Sequence, residues 1–213
     1  MTNANVIIPT KSNFSDLFVL LENLDRDPRV ERIIVVADGE KAYNTLKETL
    51  PADVTLFTVP LASGIHKMWN MGMDELKGSG LHLAIVNDDV ALTENAISTV
   101  CDLLDRRADI GLANPSGDAS ENREFIDNGR FGGCCMILAK DLVEEWRFDE
   151  RMMWWYGDTD VMKWVHDVKK RRVGYTGLCH ALNNRSATIV NDSPPNFHDH
   201  IRNDQRIFEE KWS

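Results

Sequence analysis

The chain has 213 residues, enough for one domain with a substantial core, and its 34 acidic against 24 basic residues leave a formal charge of -10. That balance excludes broad electrostatic binding to DNA, RNA or anionic lipid, but not small anions held by a metal or by backbone N–H groups. Cys101, Cys134, Cys135 and Cys179 contain no CxxC pair, the opening MTNANVIIPTK has no signal-peptide pattern, and no apolar run approaches the ~20 residues of a spanning helix, so a soluble protein in the reducing cytoplasm is expected.

Along the first half, short β-type runs alternate with amphipathic stretches, the pattern of a mainly parallel sheet flanked by helices. Val6 to Ile8 predicts a first strand, and Phe14, Leu17, Phe18, Leu21 and Leu24 follow at helical spacing. Ile33 to Val36 and Val54 to Val59 predict the next two strands, and Ile65 to Leu76 a helix. The apolar run Leu81 to Val86 supplies a fourth strand, Asn95 to Arg106 a helix, and Ile110 to Ala113 a strand ended by Asn114-Pro115. The motifs DGE and NDD therefore fall at carboxyl ends of strands, where open α/β sheets usually bind ligands.

The second half is more irregular. Pro115 to Arg130 reads as a long polar loop, and RFGGCCMILAK as paired glycines leading into a strand. The last segment, Pro195 to Ser213, offers Ile201, Ile207, Phe208 and Trp212 to dock a terminal helix. The organisation expected is one domain over 1–213, with 1–114 the ligand-binding half and 115–213 the half that carries the reacting group.

Asn87-Asp88-Asp89 directly follows an apolar strand, and two neighbouring carboxylates repel each other and are costly to desolvate. A hard divalent cation, Mg²⁺ or Mn²⁺, would offset that cost, with a diphosphate completing its shell. Taken alone, the same triplet is equally an exposed turn or a helix cap. Asp158 and Asp160 precede a predicted helix containing Val161, Met162, Trp164 and Val165. An acid there is a cap or, among Trp154, Trp155 and Tyr156, a general base, while the aromatics are either core or faces for sugar rings. His180 is either a phosphate or metal ligand or an ordinary hydrogen-bonded histidine.

The ordered blocks VIIPT, VVADGE, WNMGMDELKGSGLHLAIVNDDV, GRFGGCCMILAKDLVEEWRFDERMMWWYGDTD and CHALNNRSAT resemble the family 2-like glycosyltransferases of GT-A fold over nearly the whole chain. The resemblance implies a metal-dependent, inverting transfer of a sugar from a nucleoside-diphosphate donor, a UDP-sugar first, to an acceptor hydroxyl on a protein or glycan. It implies Pro9, Thr10, Asp38, Asn70 and Asp88 around the donor, with Asp38 reading the base. Asp89 and His180 would meet the Mn²⁺ or Mg²⁺, and Asp158 would be the catalytic base. Gly133, Trp154, Trp155, Tyr156 and Asp160 would line the acceptor side. Two positions depart from the pattern: Asn87 is neutral where the acidic element begins, and Gly157 stands where many relatives carry glutamate. A nucleotidyltransferase is the rival enzyme, although PTKSNFSD after the first strand is no Gly-rich triphosphate loop. A non-catalytic nucleotide-sugar-binding protein is the other alternative.

Overall fold

The computed structural model describes residues 1–127, 133–183 and 196–213. Its first strand, β1 (Ala4–Thr10), is buried along its whole length, as a central parallel strand covered on both faces must be. Helix α1 (Phe14–Asp25) returns across the sheet, burying Leu17, Leu20, Leu21 and Leu24 at the spacing of one helical face. β2 (Val30–Asp38) and β3 (Val54–Val59) add to one side in parallel, joined by the short helix α2 (Glu40–Leu46). α3 (Ile65–Glu75) then crosses back, and β4 (His82–Val86) joins the other side of β1 in parallel.

After the three-residue strand β5 (Val90–Leu92), α4 (Ala96–Arg106) leads into β6 (Ile110–Ser116). β7 (Ile126–Asp127), β8 (Cys135–Leu138) and β9 (Arg172–Asn183) complete the strands, in the order β3-β2-β1-β4-β8-β6-β9-β5 with β7 beside β9. β8 runs against both β4 and β6, so β6 and β9 point the same way as β1 to β4. The carboxyl ends of those strands form one edge of the sheet. Among the described residues no helix is long and apolar enough to cross a membrane.

The remaining described elements of the second half are helices. α5 (Lys140–Val143) follows β8, and α6 (Gly157–Lys163) runs on through a π-type turn at Trp164–Val168. α7 (Phe197–Trp212) is the expected terminal helix, and it buries Ile207. One boundary is corrected: β6 does not stop at Asn114-Pro115 but continues to Ser116. Its ladder to β8 involves only Leu112 and Ala113, so the missing N–H of Pro115 breaks no pairing there. The loop expected over Pro115 to Arg130 is likewise shortened at its start by β6 and interrupted by β7, with 128–130 outside the described residues.

Candidate active site

Thr10 and Asp38 end β1 and β2, and Asp88 and Asp89 follow β4, so strand register alone brings them to one edge. All four are buried, with Asp88 5% and Asp89 4% exposed. The Thr10 hydroxyl donates to Asp88 Oδ2 at 2.7 Å across a sequence separation of 78 residues. Burial, reinforced by the neighbouring Asp89 and opposed by the Thr10 hydroxyl, pushes the Asp88 carboxyl up to about 7. Asp38 Oδ1 accepts the Ala62 N–H at 2.8 Å, which ties the loop after β3 to the end of β2. Pro9 pairs with Val36 inside the β1–β2 ladder.

Asp158 approaches from the opposite side. Tyr156, at φ 67°, turns the chain into α6, and Asp158 sits in the first turn, its Oδ1 accepting the Thr159 N–H at 2.7 Å. Gly133 lies directly against that carboxylate, and a Cβ on Gly133 would stand 2.7 Å from Asp158 Oδ2. Only glycine permits that approach. The next residue is Cys134, whose carbonyl accepts the Asn87 N–H at 2.9 Å. Burial raises the Cys134 thiol above its ordinary value, and the charges of Asp89 and Asp158 raise it further. Cys134 is therefore within electrostatic reach of both acids, a link that no local sequence pattern announces.

Two expectations are corrected by the geometry. Asp160 is fully buried, its Oδ2 paired with Lys211 Nζ at 2.7 Å and its Oδ1 accepting from Trp212 Nε1 at 2.7 Å, so it anchors α7 and cannot meet an acceptor. Asn70 grips the backbone of Phe148, donating to its carbonyl at 2.9 Å and accepting its N–H at 3.0 Å, and it donates to Glu150 at 3.0 Å. That side chain is a structural clasp rather than a donor contact. The backbone of His180 is placed by the antiparallel β5–β9 ladder, in which Leu92 faces Ala181 and His180 exchanges bonds with Thr93.

The aromatic run Trp154 to Tyr156 is tied to α7. The N–H groups of Met153, Trp154 and Trp155 donate to the carboxylate of Asp204 on α7 at 3.1, 2.9 and 3.1 Å. Trp155 meets the edge of Phe197, and Tyr156 stacks on Phe208 at 5.2 Å. All three remain half-buried, and Trp154 Nε1 and Trp155 Nε1 have no partner among the described residues. By contrast Trp69 and Trp146 are buried and pack with Phe148, and Trp146 also meets the half-buried Trp164.

No family model and no curated protein matches the chain. Solved structures do. GalNAc-T7 with UDP, GalNAc and Mn²⁺ superposes with a TM-score of 0.69 at 10% identity, over 86% of this chain and 44% of that one. The mannosyltransferase PcManGT from Pyrobaculum calidifontis, in complex with GDP-Man and Mn²⁺, superposes at 0.61 with 14% identity, over 95% and 68%. The chain has the GT-A fold. A cytidylyltransferase from Leptospira borgpetersenii serovar Hardjo-bovis (strain JB197) shares it at 0.54 and 13% identity, over 83% and 76%. The chain thus spans less than half the length of GalNAc-T7. Within this GT-A chain, no three His, Cys, Asp or Glu side chains among the described residues converge as a metal cage. Asp88 and Asp89 still fit a hard cation, because Mg²⁺-like ions are commonly held by one or two carboxylates plus ligand phosphates and water.

Proposed function

We propose that the chain is a metal-dependent, inverting glycosyltransferase that moves a sugar from a nucleoside-diphosphate donor to an acceptor hydroxyl. The observation that carries this is the approach of Asp158 to Gly133, one residue from Cys134, whose thiol feels both Asp158 and Asp89. A carboxylate at a helix start and an acid at a strand end thereby both act on Cys134. Asp89 would hold Mn²⁺ or Mg²⁺ with Asp88 behind it, and the ion, when bound, would neutralise charge on the departing diphosphate. Thr10 keeps Asp88 oriented through its hydroxyl. Asp158 takes the acceptor's proton as the hydroxyl oxygen attacks the anomeric carbon and the bond to the diphosphate breaks. No covalent enzyme intermediate forms. Asp38 reads the base, with uracil the first choice. Residues 1–114 serve the donor, and 115–213 the acceptor and the base.

The cytidylyltransferase neighbour gives nucleotidyl transfer as the second reading. One assay separates the two: incubation with UDP-glucose, UDP-galactose, UDP-N-acetylglucosamine and GDP-mannose, each with Mn²⁺ and a mixture of methyl glycosides and a Ser/Thr-containing peptide, beside sugar 1-phosphates with nucleoside triphosphates. Release of nucleoside diphosphate with a glycosylated acceptor supports the proposal. Pyrophosphate from the second set replaces it with nucleotidyl transfer, and binding without turnover of either replaces it with a binding module.

A further inference from the structure

His66, on α3, is 1% exposed and plays no part in the chemistry above. Its ring centroid lies 5.2 Å from that of Trp69 and 5.9 Å from that of Phe148. The segment from Asp149 to Gly157 winds around it. At the start of the segment, the Asp149 carbonyl stands 3.2 Å from His66 Nδ1. In the middle, the Met153 carbonyl accepts the N–H of Ile65, the residue before His66, at 2.7 Å. At the end, His66 Nε2 occupies the place of the missing side chain of Gly157, where a Cβ would lie 2.2 Å from it.

The glycine at 157 is demanded by side-chain contacts, first with His66 and then with Trp69, whose Cζ3 would lie 2.6 Å from a Cβ there. Gly157 opens α6 and is not among the residues with positive φ, so its backbone is open to any amino acid. Nδ1 faces a carbonyl and so carries the proton, which leaves Nε2 of the neutral ring as a lone pair with no partner among the described residues. Burial keeps the ring neutral, against the opposing pull of the Asp149 and Met152 backbone. The contacts form an unbroken series: ring edge on Gly157, then Asp158, then the Asp158 carboxylate on Gly133.

We propose that His66 is a positioning residue for Asp158: its ring edge fills the side-chain space of residue 157 and fixes the turn from Tyr156 to Asp158, so that the carboxylate meets the acceptor hydroxyl. This rests on Asp158 serving as the base proposed above. The test uses His66→Asn, which retains an amide donor where Nδ1 sits but removes the ring edge, together with Gly157→Ala and the pair combined. The donor and acceptor mixture is the one on which the wild type turns over fastest in the assay above, and Mn²⁺–UDP titration and circular dichroism accompany it. His66→Asn is expected to bind Mn²⁺–UDP as the wild type does and keep its donor KM within about twofold. Its kcat should drop by about 10²-fold, the scale of an ångström-sized misplacement.

The deciding readout is non-additivity. Gly157→Ala should lower kcat when His66 is present and lower it by a smaller factor in the His66→Asn background, where Trp69 is the neighbour that still meets the added methyl. A His66→Asn protein with kcat within twofold of wild type overturns the proposal, as does a double variant in which the two losses simply multiply. Should His66→Asn not fold, Gly157→Ala and Gly157→Ser decide in its place: unchanged kcat in both overturns the brace, and a graded loss with donor binding intact supports it. Asp158→Asn, run alongside, isolates the underlying assignment. Wild-type turnover by that variant removes Asp158 as base whatever the His66 variants do.

Discussion

The two edges of the sheet handle their carboxylates in opposite ways. Where the strands begin, the nearly buried Arg29 guanidinium lies between Asp102 and Asp105, with an Nη2 to Asp105 Oδ2 distance of 2.6 Å. His82 Nε2 lies 3.2 Å from the other Asp105 oxygen. Burial works against the Asp105 charge, yet the Thr2 N–H, Arg29 and His82 together hold that carboxyl well below the usual range. Where the strands end, Asp88 meets a neutral hydroxyl and a second acid, and its carboxyl is pushed up to about 7. Charge is compensated within the chain at one edge. At the other, burial outweighs the Thr10 hydroxyl and the Asp88 and Lys11 backbone groups that favour the charged form, and a carboxyl perturbed in that direction marks a candidate site rather than a structural cluster.

That contrast is most open to attack at Asp158. Asp158→Asn should lower transfer by about 10²–10⁴-fold while leaving Mn²⁺–UDP affinity nearly unchanged, since it removes a proton acceptor of similar size. Single-turnover transfer beside calorimetric titration reads both quantities. At the opposite edge, Arg29→Met should cost on the order of 1–3 kcal/mol of stability by removing the charged hydrogen bonds to the partly exposed Asp102 and Asp105, yet spare UDP affinity. Urea denaturation followed by titration of the folded protein checks it, and equal loss of nucleotide binding would erase the distinction between the edges.

Smaller effects sharpen the comparison. Asp89→Asn should weaken Mn²⁺-dependent UDP binding by more than the roughly 10–100-fold expected for an outer partner of a metal, and Asp88→Asn should fall within that range. Equal Mn²⁺–UDP affinity in wild type and Asp89→Asn would remove Asp89 from the cation. The mildest prediction concerns pH. Burial lowers both His66 and His82 from their ordinary value of 6.5, so the unfolded chain binds more protons than the folded one as pH drops. Stability should therefore fall as pH is lowered through about 6.5, by at most about 1.4 kcal/mol per pH unit for each histidine. Melting temperatures from pH 7.5 to 5.5 measure the slope, and His82→Asn should reduce it.

The strand ends were legible because they depend on short-range pattern: an apolar run such as HLAIV followed by polar residues marks both a strand and its edge. The long strand β9 was not, since Gly174, Gly177 and His180 break the apolar run and its pairing comes from β6, β5 and β7, distant in sequence. The choice between Asp158 and Asp160 shows the same limit. Residues two apart on a helix do not share a face, so the two acids could not both point the same way. Which one turned inward was decided by Lys211 and Trp212, about fifty positions later. The roles of His66 and Asp204 were hidden for the same reason: each acts on backbone groups of a remote segment, which leaves no trace in local composition.

The bond from Lys211 to Asp160 spans 51 positions of sequence. During synthesis at ~5–20 residues per second, α6 would therefore leave the ribosome on the order of 3–10 s before the cation that its inward carboxylate needs. Until then Asp160 has to stay hydrated, and the turn carrying Asp158 cannot close over it. Packing of α6 is thus timed by the arrival of α7, well after β1 to β4 have been made.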